Sequence, residues 1–266
     1  MNGNSLAIKR FRQDSHHLDH HFMIEIMAIG RVRHRNIVTL LGFCIEREER
    51  LLVYSYMPNG SLYKWLHPMH SHSSALDWPL RLHIAKEIAK GLAWLHHHGQ
   101  YGVTHGRISS KCILLDKHFN PKISNFGRAT LVKSYYYKYM MSSHKKDIYG
   151  LGLLLLEMVT GKNPDELQKM SESFNGNLVE WITLFLNTGN FYEIVDKSLI
   201  GQGFDVQIIQ LLKVASWCIR PALKERATIL QVTSNLSIIG VGNGSAYHLN
   251  VEEDVDGEIE IVEVGF

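Results

Sequence analysis

The chain has 266 residues, of which 45% are hydrophobic and 20% are charged, and its formal net charge is +2. This composition supports a substantial core in one large domain or two lobes and excludes intrinsic disorder for the bulk of the chain. No apolar run reaches the roughly 18 to 20 residues that a bilayer crossing needs, and the N-terminal sequence lacks the apolar stretch of a secretory signal peptide. Three widely spaced cysteines, Cys44, Cys112 and Cys218, favour a reducing cytosolic compartment over a disulfide framework or a zinc ribbon.

The charge is distributed unevenly between the body and the C-terminus. From Leu249 to Phe266 there are seven acidic residues and no Lys or Arg, so residues 1–248 carry a net charge of +9. We expect residues 241–266 to form a disordered acidic tail. A basic body can favour nucleic acid or an anionic membrane surface, but its Lys and Arg residues are dispersed along the sequence and no nucleic-acid motif is present, so no nucleic-acid partner is expected.

Residues 1–57 predict a small β-rich lobe. Leu6–Phe11 favours a strand, and Asp14–Ile29 favours a helix with an apolar stripe that contains Glu25. A carboxylate on such a stripe costs on the order of several kcal/mol unless it has a partner, and Lys9 is the nearest basic candidate. The runs Ile37–Ile45 and Arg50–Tyr56 are expected to form an antiparallel pair.

Residues 58–240 predict a larger helical lobe, which begins at the turn cluster of residues 58–61. Asp77–His98 is the clearest helix, with Asp77 as its cap and Pro79 in its first turn. The remaining predicted elements are a hairpin from Cys112–Asp116 and Pro121–Ser124, and helices over Asp147–Thr160, Leu178–Asn187, Phe204–Trp217 and Thr228–Leu236. A small β lobe followed by a helical lobe makes an α+β bilobal chain.

Histidines and tyrosines are numerous, but their spacing does not indicate a site. His16 with His20 and His17 with His21 have a metal-compatible helical spacing but lack a carboxylate motif, so no metal site is expected. Two further groups, His67, His70 and His72, and His96 to His98, lie near exposed loops or helix ends and are expected to be solvated. The tyrosines Tyr135, Tyr136, Tyr137 and Tyr139 are expected to pack rather than to serve as phosphorylation sites.

Several segments occur in an order that resembles a protein kinase domain: Ala7-Ile8-Lys9, the helical Glu25, His105-Gly106-Arg107, Asn125-Phe126-Gly127, Asp147-Ile148-Tyr149-Gly150 and a late Arg226. The stretches HRNIVTLLGFCIEREERLLVYSYMPNGSL, LDWPLRLHIAKEIAKGLAWLHH and ISSKCILLDKHFNPKISNFG are similar to plant leucine-rich-repeat receptor-like kinases. Within that group the chain resembles the inactive, co-receptor-interacting pseudokinase branch. The resemblance runs from about Ala7 to Ile238.

The resemblance implies roles for several residues of this chain. Lys9 and Glu25 match the ion pair that positions nucleotide phosphates. Ile29 matches the hydrophobic-spine position on the same helix. The segment Tyr54, Ser55, Tyr56 and Met57 resembles the nucleotide-binding hinge between the lobes. Structural anchor positions are matched by Ile29, His105, Phe126, Gly127, Asp147 and Arg226.

The same resemblance implies that the catalytic positions are degenerate. Arg107 stands at the position of the catalytic base, and an arginine cannot accept a proton at neutral pH. Ser109 replaces the loop lysine, and Cys112 and Asn125 replace the two metal ligands, although Mg²⁺ prefers carboxylate oxygen. Only Met1 to Leu6 precede the lysine strand, so the small lobe is expected to be truncated and to lack the glycine-rich loop. No A-P-E triplet lies between Gly127 and Asp147, so Arg226 is expected to be left to another partner or to solvent.

These observations predict a catalytically inactive kinase-like interaction module with no required cofactor. Its expected partner is a protein, such as a receptor kinase or co-receptor, at the cytoplasmic face of the plasma membrane. One alternative is a residual serine/threonine kinase that binds Mg-ATP through Lys9 and the hinge-like segment. Another is a truncated product without a stable role, which would aggregate through an unpaired sheet edge.

Overall fold

The computed structural model describes residues 5–11, 16–47, 49–68, 76–98, 101–133, 137–173 and 177–241. A three-stranded antiparallel sheet comes first, with strands β1 (Leu6–Phe11), β2 (Leu40–Glu46) and β3 (Glu49–Ser55) in the order β1-β3-β2. Strand β1 has the predicted bounds. Strand β2 begins later than predicted because Ile37 forms only an isolated parallel bridge to Ile123. The sheet thereby pairs Lys9 with Leu52 and Ala7 with Tyr54.

Helix α1 (His16–Ile29) covers one face of this sheet. Phe22 and Ile29 are completely buried, and the Phe22 ring meets the Phe11 ring edge-on at 5.5 Å. Burial of an aromatic side chain of this kind contributes on the order of 2 kcal/mol. The apolar stripe predicted for this helix therefore faces the sheet, and it carries the carboxylate of Glu25 inward with it.

The rest of the described chain is mainly helical. Helix α3 (Trp78–His97) is its longest fully described core helix, and Asp77 caps it by accepting a 3.0 Å hydrogen bond from the Leu80 amide, as predicted. Ile84, Ile88 and Leu92 are buried along its length. The other helices are α2 (Leu62–Leu66), α4 (Tyr137–Thr160), α5 (Pro164–Ser173), α6 (Leu178–Thr188), α7 (Asp205–Cys218) and α8 (Ile229–Ile238).

Two small antiparallel pairs lie between α3 and α4. The predicted hairpin is present as β5 (Ile113–Leu115) and β6 (Pro121–Ile123). The pair of β4 (Tyr101–Thr104) and β7 (Thr130–Lys133) was not predicted, because four-residue strands give too short a pattern to detect. Short helices α2 and α5 were also not predicted. The fold is the expected α+β arrangement of a sheet-containing small lobe and a helical large lobe.

Helix α4 corrects one prediction about Asp147. The helix begins at Tyr137, ten residues before the predicted start, so Asp147 lies within the helix and does not cap it. His144 and Lys145, which precede Asp147, are buried and therefore part of the packed helix. Tyr135 and Tyr136 lie outside the described residues, as do the side chains of Tyr137 and Tyr139 and the whole of residues 242–266.

Two histidines expected to be solvated are instead buried or held by carboxylates. His67 Nε2 lies 2.7 Å from Glu157 Oε1, and burial raises the pKa of Glu157. His96 is buried, lies 3.0 Å from Asp147 Oδ2 and stacks on the His144 ring at 3.8 Å. The prediction failed because the carboxylate partners are 90 and 51 residues away in sequence. His70 and His72 lie outside the described residues.

No helix of the described ranges combines the length and the apolar character that a bilayer crossing demands.

Candidate functional site

A cleft of about 470 Å³ lies between the three-stranded sheet and the β5–β6 hairpin. This volume is within the range of small-molecule sites, about 300–1,000 Å³. The predicted nucleotide segment, residues 54–57, lines the cleft together with Lys9, Glu25 and Asn125. Lys111, which sequence analysis did not single out, also lines it. The remaining lining residues are Ala7, Ile8, Val38, Leu114 and Ser124.

Lys9 occupies the centre of the polar part of this cleft. Its Nζ donates to Glu25 Oε2 at 2.7 Å and to Asn125 Oδ1 at 3.0 Å. The Lys9 side chain is 36% exposed, whereas the Glu25 side chain is only 1% exposed. Lys9 thereby joins strand β1, helix α1 and the Asn-Phe-Gly segment through a single ammonium group.

Tyr54 holds the other oxygen of the same carboxylate. Its phenol donates a 2.6 Å hydrogen bond to Glu25 Oε1 inside the protein. Burial and the adjacent Glu25 carboxylate raise the pKa of Tyr54, so the phenol stays protonated and remains a donor. Sequence analysis placed Tyr54 in the hinge-like segment and missed this contact. The sequence offered no signal for this contact, because residues 51–54 are a continuous apolar run without alternation. In the structure Leu52 and Tyr54 are buried two residues apart on β3.

The loop that resembles a catalytic loop is held by Asp147 of α4. Its carboxylate accepts from the His105 amide at 2.7 Å and from the Gly106 amide at 2.8 Å. The His105 ring lies 2.9 Å from the Ser124 carbonyl oxygen and meets the Phe126 ring edge-on at 4.8 Å. Burial lowers the pKa of His105, which favours the neutral ring. Asp147 is thus in a position to fix the loop backbone.

Gly106 is required by the path of this loop. Its φ is +79°, and a Cβ built on it would lie 2.5 Å from the Arg128 carbonyl oxygen. L residues rarely adopt this backbone region, and the close carbonyl adds a steric barrier. Glycine at this position is therefore dictated by local geometry.

The four positions that the resemblance predicts to be degenerate differ in exposure and in the groups that they contact. Arg107 is exposed and Ser109 is half-buried. The Cys112 thiol is buried, 3.5 Å from Ser109 Oγ and 3.8 Å from Asn125 Nδ2. Asn125 adopts a left-handed backbone with φ of +67°, which asparagine tolerates better than most residues.

Mg²⁺ does not fit these donors. The two positions that correspond to metal ligands offer a thiol and a neutral amide, and the amide oxygen already accepts from Lys9. Magnesium prefers hard, charged oxygen ligands in octahedral geometry. Within the described ranges, no group of three or more His, Cys, Asp or Glu side chains is arranged to hold a metal ion.

The anchor positions are buried in the fold. Ile29 and Phe126 are completely buried, and a Cβ on Gly127 would lie 3.3 Å from His21 Cβ on α1. The Asn-Phe-Gly segment is therefore packed closely against that helix. The predicted roles of these residues in the kinase pattern remain predictions, but their positions are compatible with a packed, anchored arrangement.

Arg226 resolves one alternative that the sequence left open. Its guanidinium donates to the carbonyl oxygens of Lys145 at 2.8 Å and Arg220 at 3.0 Å, and it lies 4.9 Å from the centre of the Tyr149 ring. Lys145 Nζ in turn donates to the Ala227 carbonyl oxygen at 3.0 Å. The Arg226 guanidinium therefore binds backbone carbonyls and an aromatic ring rather than solvent.

Comparison with known proteins agrees with this geometry. A family model described as protein tyrosine and serine/threonine kinase matches residues 1–236. An Arabidopsis thaliana protein named "Probably inactive leucine-rich repeat receptor-like protein kinase" is 42% identical over 95% of this chain and 45% of its own length. A "Probable inactive receptor kinase" of the same species is 38% identical, with coverages of 92% and 44%. The systemin receptor of Solanum peruvianum is 34% identical, with coverages of 91% and 22%.

The chain belongs to the protein kinase family. It is similar to the kinase domains of plant leucine-rich-repeat receptor-like kinases, which confirms the resemblance found in the sequence. The chain spans less than half the length of these relatives.

Proposed function

We propose that this chain is a pseudokinase: a kinase-fold interaction module that does not transfer phosphoryl groups. The single observation that carries the proposal is the bond from Lys9 to Asn125. The lysine that would position phosphates donates at 3.0 Å to a neutral amide that stands where a metal-binding carboxylate is needed. The Lys9 ammonium group therefore forms a structural hydrogen bond at the position where phosphoryl transfer would require a metal ion.

The chemistry of the neighbouring positions supports the same proposal. A positioned base contributes on the order of 10²–10⁴ in rate, and charged groups that stabilise phosphoryl transfer contribute about 10³ or more. Arg107 cannot supply the base, and Cys112 and Asn125 do not fit Mg²⁺. The names of the two Arabidopsis relatives as inactive kinases agree with this proposal for the present chain.

The module would act by docking to another protein at the cytoplasmic side of the plasma membrane, with a receptor kinase or co-receptor as partner. The names of the relatives as receptors or receptor-like kinases support this choice of partner. The retained Lys9–Glu25 pair and the buried anchors would keep the docking surface in one conformation.

A phosphate-transfer assay tests the proposal. The purified chain is incubated with radiolabelled ATP and Mg²⁺ or Mn²⁺, with a generic protein substrate and with Lys9→Ala as the matched control. We expect the parent chain to incorporate no more label than the Lys9→Ala variant. The second candidate function is a residual serine/threonine kinase, which the open cleft and the intact Lys9–Glu25 pair favour. Robust incorporation of label that disappears in Lys9→Ala would establish this second candidate.

A further inference from the structure

Positively charged side chains form a patch on the surface beside α3, although the Lys and Arg residues are dispersed in the sequence. Arg31, Arg33 and Arg35 alternate along the segment after α1, and all three are exposed. The next residue, Asn36, donates from its side chain to Glu87 of α3 at 3.1 Å. A Cβ on Gly91 of α3 would lie 2.9 Å from Asn36 Cβ. The arginine segment is therefore packed directly against α3.

Two lysines extend the patch. Lys90 of α3 and Arg35 share the carboxylate of Glu87, at 2.6 Å and 3.1 Å, while their side chains stay 46% and 66% exposed. Lys122 of β6 lies between Pro121, whose carbonyl oxygen accepts from the Asn36 side chain at 3.4 Å, and Ile123, whose amide donates to the Asn36 carbonyl oxygen at 2.8 Å. Burial lowers the pKa of the Lys122 ammonium group, and the nearby Arg35 guanidinium adds to the lowering. We call this surface the basic face; its members are Arg31, Arg33, Arg35, Lys90 and Lys122.

The basic face carries more positive charge than its own carboxylates neutralise. Glu87 is shared by two of the cations, and the negative charge of Asp116 acts to raise the pKa of Lys122. Neither Arg31 nor Arg33 is ion-paired within the part of the chain that the structure describes. A surface with this excess positive charge favours an acidic ligand.

The described chain ends beside this surface. Lys86, one turn before Lys90 on α3, donates to the Ile239 carbonyl oxygen at 2.7 Å, and the last described residue is Val241. The first carboxylate of the acidic run, Glu252, follows eleven residues later. A random coil of eleven residues spans roughly 18 Å on average, whereas Lys86 and Lys90 are only about 6 Å apart along the helix.

We propose that the acidic segment Glu252–Glu263 of this chain docks in cis on the basic face. The segment contributes seven carboxylates and no cation, opposite a body with a net charge of +9. Single exposed ion pairs are weak and screened by salt, so docking depends on many pairs acting together. Tethering raises the local concentration of the segment to about the millimolar range, which favours it over an untethered acidic partner.

Zero-length carbodiimide cross-linking of the full chain, followed by mass spectrometry, tests this contact. Carboxylates of residues 252–263 should couple to Lys90 and Lys122 in preference to the exposed Lys213 and Lys224, at a yield independent of protein concentration. Raising the salt to about 0.5 M should lower these yields about threefold or more, because the Debye length shortens to a few ångströms.

Charge reversal at Arg31 and Arg33 leaves every reacting amine in place. Arg31→Glu with Arg33→Glu should lower coupling to Lys90 and Lys122 about threefold or more through lost attraction. The matched control, Lys213→Glu with Lys224→Glu, should leave it unchanged. Coupling that is equal at all lysines, or that rises with protein concentration, would overturn the proposal.

Binding to vesicles of phosphatidylcholine with phosphatidylserine is the second measurement. If the arginine reversals abolish vesicle binding without changing the coupling yield, the basic face binds a membrane and the proposal is wrong.

Discussion

The phenol of Tyr54 donates a 2.6 Å hydrogen bond to Glu25 Oε1, while Lys9 donates to Oε2 of the same carboxylate at 2.7 Å. Both oxygens of a nearly inaccessible carboxylate are therefore satisfied by the protein itself. This arrangement holds α1 against the sheet through contacts from β1 and β3, at the wall of the cleft that all three residues line. Tyr54 was predicted to be a nucleotide-binding residue, and the structure assigns its hydroxyl to this carboxylate.

Replacing Tyr54 by Phe removes one donor from the buried carboxylate and leaves the ring in place. We expect Tyr54→Phe to lower the free energy of unfolding by about 1–3 kcal/mol, the usual cost of a lost hydrogen bond to a buried charged group. Urea denaturation measures the change. Tyr56→Phe is the matched control, because Tyr56 is 51% exposed and should lose little. Equal denaturation midpoints for the two variants would show that the Tyr54 contact contributes nothing.

The Lys9–Glu25 pair should stabilise the fold independently of any nucleotide. Lys9→Ala strands a buried carboxylate, so we expect a loss of about 1–3 kcal/mol, between the values for exposed and for fully buried pairs. Glu25→Ala should also destabilise, and the double variant should lose less than the sum of the two. Lys213→Ala, at an exposed position, controls for loss of a lysine. If both single variants unfold with the parent chain, the pair has no structural role.

Gly106 and Gly201 separate backbone strain from steric overlap. Both have φ of +79°, but a Cβ on Gly201 would meet nothing within 4 Å, whereas one on Gly106 would approach the Arg128 carbonyl oxygen at 2.5 Å. Gly201→Ala should therefore cost about 1 kcal/mol from the backbone alone, and Gly106→Ala should cost clearly more. Thermal and urea unfolding of the two variants measure the difference. Equal losses would mean that the loop moves away from Arg128 without cost.

The buried His144 should make the protein less stable in mild acid. Its Nε2 has no hydrogen-bond partner among the described residues, and its ring stacks on His96 at 3.8 Å. Burial and the neighbouring His96 lower the pKa of His144 to about 3. The unfolded chain, with an ordinary histidine pKa of about 6.5, therefore binds more protons below that pH, and stability falls as the pH drops from about 6.5 towards 3.

The variant His144→Leu should flatten this pH dependence by up to about 1.4 kcal/mol per pH unit, the value for one proton. Urea unfolding at a series of pH values gives the slope. His118→Leu, at an exposed position, should leave the slope unchanged. A slope that is unaltered in His144→Leu would assign the acid sensitivity to other groups.

Periodic apolar patterns correctly predicted the strands and helices whose structure depends mainly on their own local sequence. Strand β1 and helix α3 were predicted within one residue of their bounds, since each has a regular apolar pattern and α3 has a capping Asp77. The Lys9–Glu25 contact followed from one carboxylate on an apolar stripe. These features depend on local sequence or on a charge that has to be paired when buried.

Contacts between distant positions could not be predicted in this way. His67 and His96 looked like exposed residues at helix ends because their partners, Glu157 and Asp147, come from another helix. Tyr54 was assigned by its place in a family pattern, because the continuous apolar run of residues 51–54 has no alternation that would indicate which side chains face inward. The basic face escaped detection because it combines residues from three separate segments.

Under the proposed function, the cleft does not bind nucleotide with the help of a metal ion, and the Lys9–Glu25 pair stabilises the fold. Thermal unfolding of the purified chain in millimolar ATP, with and without Mg²⁺ or Mn²⁺, detects such binding, because a ligand that binds the native state must raise Tm. We predict that adding the metal ion to ATP leaves Tm unchanged. A rise of several degrees that requires both ATP and the metal ion would contradict the claim.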